Sequence, residues 1–265
     1  MTASAARIPG GHYGFRHVAR MEWIKLRSLR STWWTLVIAA AGAIGIGVAV
    51  GINTRNAAGD LTNNALAGIV PSLLLIGVLG ALAVTSEYSS GMIRTTLSAA
   101  PRRPLLLAAK AAVFGAAAVT VGEAASFMAF FAGGATLRHG IPAPALTQPG
   151  VLRAVLLSGV SFGLIGLIGL GLGAMVRHSG AAIGVVIGGV YVLPTIVGQV
   201  AHGLGVYMPI VIIGNSLTTT KPQLCPAHAD YCPHFLSAWA GLGLLGLYTA
   251  AALAAGGWLL ARRDA

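Results

Sequence analysis

Six apolar stretches alternate with short polar segments along the chain, over about 33–52, 65–85, 105–134, 152–176, 181–201 and 235–261. About 20 apolar residues, at roughly 1.5 Å of rise each, cross the hydrocarbon layer of a bilayer. Each stretch therefore predicts a membrane helix. The third is longer than that thickness requires, so it predicts a tilted helix or one that extends into water, with Lys110 near the interface. Residues 1–12 are small, polar and Pro/Gly-containing, and predict a disordered tail. Over 13–32 the period becomes helical. Phe15, Val18, Ala19, Leu26 and Leu29 fall on one face, and Arg16, Arg20 and Arg27 on another. This predicts an amphipathic helix in the membrane interface, its basic face towards anionic lipid headgroups. Glu22 falls on the apolar face, where an unpaired charge is costly, so pairing with Lys25 or with a partner's cation is expected. Trp33 and Trp34 mark the headgroup level. The expected fold class is all-α integral membrane: a tail, an interfacial helix and a six-helix domain over 33–265.

Composition supports this reading. The 265 residues are 56% hydrophobic and 9% charged, against about 25% charged in soluble domains. The 37 glycines suit membrane helices, which pack through small residues. Charge adds orientation. Of the 17 Lys and Arg, thirteen fall on one side of the six-span layout and four on the other (Arg55, Arg138, Arg153 and Lys221). The side rich in Lys and Arg is normally cytoplasmic. Both termini and the segment between the second and third spans are thus expected in the cytoplasm of a cell-membrane protein. The formal net charge of +11 follows a topology rule and lines no groove, so a nucleic-acid partner is not expected. The outer segments are then 53–64, 135–151 and 202–234. The last includes an apolar run over 206–214, too short to span and expected to be re-entrant or interfacial.

The segment 86–104 is the longest charged interruption in the middle of the chain. Glu87 opens it at the membrane edge, Gly91 gives flexibility, Met92-Ile93-Arg94 follows, and Pro101-Arg102-Arg103-Pro104 closes it. A short helix parallel to the membrane, exposing Met92 and Ile93, would serve as a docking knob for a partner.

Chemistry-bearing motifs are few. No G-x-x-x-x-G-K-S/T loop occurs, so the chain does not cradle nucleotide phosphates in the usual way. Gly241-Leu-Gly243-Leu-Leu-Gly246 matches a dinucleotide pattern but sits inside a span. Helix packing explains it, as it does Gly159/Gly163, Gly169/Gly173 and Gly184/Gly188. No paired carboxylates or Ser/His/Asp set is present, so no enzymatic activity is expected. Glu123 lies near the middle of the third span, with Thr120, Ser126 and Phe127 at helical spacing. An ionisable residue there marks either a translocation path, favouring cationic amphiphiles, or a structural carboxylate bonded to a neighbouring helix. Cys225 and Cys232, with His228 and His234 between and beside them, sit in the last outer segment. Oxidising surroundings and Pro226 and Pro233 favour a Cys225–Cys232 disulfide over a zinc site or free thiols. No metal or cofactor is expected in this chain.

Two local motifs carry a family resemblance. Glu22-Trp23-x-Lys25-Leu26-Arg27-Ser28-x-Arg30-Ser31-x-Trp33 precedes the first span. Thr85-Ser86-Glu87-Tyr88-Ser89-Ser90-Gly91-Met92-Ile93-Arg94-Thr95-Thr96-Leu97, with Pro101-Arg102-Arg103, joins spans two and three. With the six-span layout, the chain resembles the permease subunits of type-2 ABC exporters, particularly the small actinobacterial kind. Met92 stands where similar proteins often have Thr. The resemblance implies a half-transporter working as a homo- or heterodimer. Two ATP-binding subunits would use ATP and Mg in the cytosol. It makes the amphipathic helix, with Glu22, Lys25, Arg27 and Arg30, a connecting helix. It makes 86–100, with Glu87, Tyr88, Gly91, Met92, Ile93 and Arg94, a coupling helix that contacts the ATPase. It also implies a path lined by spans two and five, with Val78, Leu82, Ile187, Tyr191 and Thr195 as candidates. The implied function is export of an amphipathic or lipid-like substrate. The competing expectation is a stand-alone channel or ion-coupled carrier, which usually shows intramembrane charge networks or inverted repeats.

Overall fold

The computed structural model describes residues 14–55, 59–99, 102–138, 140–219 and 235–262. These residues form helices and connecting turns, with no strand among them. α1 (Phe15–Ser28) precedes α2 (Arg30–Asn53), the first candidate span. Leu29 separates the two with extended backbone, φ −83° and ψ 100°. The expected helix over 13–32 therefore ends at Ser28, and Arg30 opens the span instead. Asp60 caps the short α3 (Leu61–Ala65) by accepting from the Asn63 N–H, which satisfies one of the donors that every helix start leaves open. α4 (Ile69–Ser89), α5 (Met92–Ala99) and α6 (Arg103–Ala135) follow. α4 is the second span and α6, 33 residues long, the third.

α7 (Val151–Val176) is the fourth span and the most buried of the six. The fifth is composite: α8 (Ser179–Val186), a π-helical segment Ile187–Val192 and α9 (Leu193–Val200). Pro194, at the start of α9, has no N–H to continue a regular ladder, which accounts for the irregular turn before it. A short α10 (His202–Gly205) precedes the apolar run over 206–214, most of which lies in α11 (Pro209–Ser216). α12 (Ala238–Arg262) is the sixth span. The chain thus has six helices long and apolar enough to cross a membrane.

Small residues set the packing. α4 and α7 cross with their backbones in contact, because Gly80 faces the Gly166 carbonyl and Gly169 faces the Gly77 carbonyl. A Cβ at Gly80 or Gly169 has no room. Gly173 repeats the contact one turn on, against Ala81. Gly159 and Gly163 seat Glu123 and Val119 of α6, and Gly171 and Gly256 bring α7 against α12. Packing explains the expected glycine pairs only in part. Gly184, Gly188, Gly243 and Gly246 face open space, and Gly241 alone of its motif meets a neighbour, Ile212. On the core side, Leu36, Leu73, Ile76, Phe114, Phe162 and Leu170 form one continuous cluster around α7.

Candidate functional site

The polar stretch after the second apolar run is half helix. α4 continues through Thr85–Ser89, further than the predicted end at residue 85. The Ser86 carbonyl accepts from the Ser89 and Ser90 hydroxyls at 3.1 and 2.7 Å, which gives the last turn of α4 internal partners. Gly91 then turns the chain with φ +71°, a left-handed conformation that glycine adopts without steric cost. α5 starts directly afterwards.

α5 is amphipathic. Ile93 and Thr96 are buried, whereas Met92 is 42% exposed and Thr95 is exposed. The expected knob is therefore smaller than Met92-Ile93. Ile93 anchors α5 to the bundle, and Met92 faces outward.

Four charges meet where α1, α4 and α6 converge, with α5 at the edge. Lys110 of α6 donates to Glu22 of α1 at 2.5 Å and to Glu87 of α4 at 2.7 Å. Lys25 donates to the same two carboxylates, at 3.1 Å to Glu22 and 3.2 Å to Glu87. Its third bond, 3.1 Å to the Thr96 hydroxyl, ties in α5. The side chains of Glu22 and Glu87 are 4% and 5% exposed, and that of Lys110 10%. Two positive and two negative charges cancel, and each lysine bridges both carboxylates. That arrangement makes burial of four ions affordable, since desolvated charges persist only when paired and hydrogen-bonded. Val18 of α1, packed on Leu106 and Ala109 of α6, closes the apolar side of the cluster.

Tyr88 reaches the opposite way. The Arg177 guanidinium lies 5.2 Å from the centre of its ring, within cation–π range. Arg177 sits just past α7 with φ +60°, and it also donates to the Leu259 carbonyl at 3.2 Å. Arg103 of α6 donates to the neighbouring Leu260 carbonyl at 3.0 Å. Two guanidiniums thus satisfy the last turn of α12, where helix carbonyls lack partners and cations are favoured. Glu87 and Tyr88 are consecutive residues. Through them α4 is joined to α1, α5 and α6 on one side and to the ends of α7 and α12 on the other.

The remaining predicted residues are spread more widely. Arg27 and Arg30 are exposed and stand outside the ion cluster. Arg94 lies on α5. Glu123 packs against Gly159, and its Oε2 is buried with no hydrogen-bond partner among the described residues. Ser126 is fully buried and donates to the Val155 carbonyl at 2.7 Å, a link between α6 and α7. Phe127 is half-buried against the core. Tyr191 lies in the π-helical segment and donates to the Val70 carbonyl of α4 at 3.4 Å. Thr195 is exposed and bonds back to Val192. Val78 and Leu82 are half-buried, and Ile187 is 37% exposed. Cys225 and Cys232 fall outside the described residues.

Sequence reasoning identified Glu22, Lys25 and Glu87 and expected Lys110 near the interface; it did not anticipate that Lys110 is the buried centre of the cluster. Thr96 and the Tyr88–Arg177 pair also went unrecognised. A signal was available for Lys110: it lies about two turns into an apolar helix, at the depth at which Glu22 falls on an apolar face. Among the described residues, no group of three or more His, Cys, Asp or Glu could hold a metal ion. The sequence matches no family model and no curated protein.

Proposed function

We propose that this chain is the membrane-spanning subunit of an ATP-driven exporter that moves an amphipathic or lipid-like substrate out of the cytoplasm. The supporting observation is the ion cluster. It fastens the exposed, amphipathic α5 to three other helices through Lys25, Glu87, Lys110 and Glu22. A force applied at Met92 would pass into α4 and α6 through the buried Ile93 and the Thr96–Lys25 hydrogen bond, which leads into the ion cluster. The chain has no phosphate-binding loop, so in this reading the force comes from ATP binding and hydrolysis in a separate subunit docked on α5. Two copies of that subunit would serve a homo- or heterodimer of the permease. The apolar spans carry few fixed charges, which fits an amphipathic cargo better than a polar one.

The test is reconstitution. The chain and a candidate ATP-binding subunit are co-expressed, purified and placed in liposomes. Co-purification and ATP-dependent transport are expected. The variant Glu87→Ala is expected to assemble yet lose substrate-stimulated ATPase activity. Transport by the chain alone, without ATP, would instead establish a channel or ion-coupled carrier.

A further inference from the structure

A cavity of about 260 Å³ opens beside the ion cluster, between α1, α2, α4 and α6, with Met92 of α5 at its edge. Its chemistry is lopsided. Lys25 uses all three ammonium hydrogens on Glu22, Glu87 and Thr96, and Lys110 uses two of its three. Glu87 receives both lysines on Oε1, and its Oε2 accepts no hydrogen bond among the described residues. Glu87 is 3% exposed and lines the cavity. The site therefore has spare acceptor capacity on a buried carboxylate and almost no spare donor. Ser31, Thr32 and Ser86 also line it.

The opposite wall is apolar, built from Leu79, Leu82 and Phe114. On α4, with about 100° per residue, Leu79, Leu82 and Ser86 stand opposite Gly77 and Ala81. Those two residues face α7 and α8. The cavity is thus on the far side of α4 from the fifth span.

We propose that this cavity binds an amphiphile whose head is a primary or secondary ammonium. The ammonium donates to Glu87 Oε2 and the neighbouring hydroxyls, and the apolar body lies along Leu79, Leu82 and Phe114. The four charges lining the cavity cancel, Lys25 and Lys110 included, so the open acceptor on Glu87 decides among heads. An anionic head finds one free ammonium hydrogen, on Lys110, and lies beside the Glu87 carboxylate. A neutral hydroxyl gains only an ordinary hydrogen bond, whereas N⁺–H to carboxylate is roughly twice as strong. The volume is slightly below that of sites for whole drug-sized ligands, about 300–1,000 Å³. The cavity therefore takes the head and the first part of the chain, and the rest runs into the surrounding hydrocarbon. An aminolipid headgroup and a soluble long-chain amine share this chemistry. The site does not depend on the exporter reading, because binding can be measured on the purified chain alone.

The experiment uses the full chain in phosphatidylcholine nanodiscs, with dodecylamine, dodecanol and dodecanoate as probes. Dodecylamine is expected to raise the unfolding midpoint saturably, by roughly 5 °C at a hundredfold excess over Kd. The alcohol and the carboxylate should produce less than half that shift. The substitutions Ala83→Phe and Leu82→Trp fill the cavity without touching the ions, and should remove the shift while each ligand-free midpoint stays within a few degrees of the parent. Glu87→Gln should also lose it, and if that variant does not fold the two filling variants carry the test. Equal shifts for all three probes, or a full shift in both filled variants, would overturn the proposal. With phosphatidylethanolamine in the nanodisc, loss of the dodecylamine shift identifies the lipid as occupant. Retention identifies a soluble amine.

Discussion

Lys110 reaches two carboxylates that belong to two other helices, and this makes its replacement the most informative single change in the cluster. Lys110→Met leaves Glu22 and Glu87 facing each other with Lys25 alone to balance them. Breaking a buried ion pair by removing one partner costs about 3–5 kcal/mol. A loss of that order is expected in chemical unfolding in detergent. Lys25 is 22% exposed along its side chain, so water can replace its contacts, and Lys25→Met should cost about 1 kcal/mol. The double variant Lys110→Met/Glu87→Gln removes one charge of each sign. It should lose less than the sum of its two single variants, since residues in one ion network are not additive. Additive losses would show that the four charges do not act as a unit. At this scale the sequence was partly legible. Glu22 on an apolar face announced that a cation had to be near. Which cation answered was not legible, because local spacing favours Lys25, three residues on, while Lys110 arrives only through the packing of α1 on α6.

Helix contacts depend on where glycine removes a side chain and where it merely occurs. Gly80 and Gly169 let α4 and α7 touch backbone to backbone. Gly80→Ala and Gly169→Ala each force a methyl into a carbonyl, and each should lower the folded yield or cost on the order of 1–3 kcal/mol, as overpacked cores do. Gly184→Ala has open space around its Cβ and should be within about 0.5 kcal/mol of the parent, measured in the same unfolding assay. These three positions look alike in sequence, since each is a glycine in an apolar run. The six spans themselves were legible because length and apolarity determine them. What was not legible arose from neighbours: the extension of α4 through Ser89, the break at Leu29, and the π-helical segment before Pro194. Gly91 is a separate case. Its φ of +71° makes Gly91→Ala strained by about 1–2 kcal/mol. Because the strain lies in the turn between α4 and α5, it should alter the orientation of α5 more than the stability of the bundle. Labelling of a Met92→Cys probe with and without Gly91→Ala checks this: an unchanged labelling rate would mean that the turn does not set α5.

Across the whole molecule, apolar side chains such as Trp34, Ile38, Leu247 and Trp258 are well exposed on the described surface. Water makes contiguous exposure of this kind unfavourable, but hydrocarbon does not, so the six long helices and this exterior describe the same environment. Six helices that each cross once would return the chain to the side from which it started. The ion cluster, Arg103, Arg177 and Arg262 lie at the ends of α1, α4, α6, α7 and α12 that the connectivity places on that common side. Arg153, by contrast, lies at the start of α7 and donates to the Thr218 carbonyl at 2.8 Å, near the end where Asp60 holds Thr219. The Lys/Arg excess therefore predicts that Met92 faces the cytoplasm and Thr147 the exterior. In right-side-out vesicles, with Cys225 and Cys232 replaced by serine, Thr147→Cys should react with a membrane-impermeant maleimide and Met92→Cys should not. Inverted vesicles should give the opposite pattern. If Met92→Cys reacts from outside, no cytosolic ATPase could dock on α5. The exporter proposal would then fail, while the six-helix fold and its ion cluster would stand.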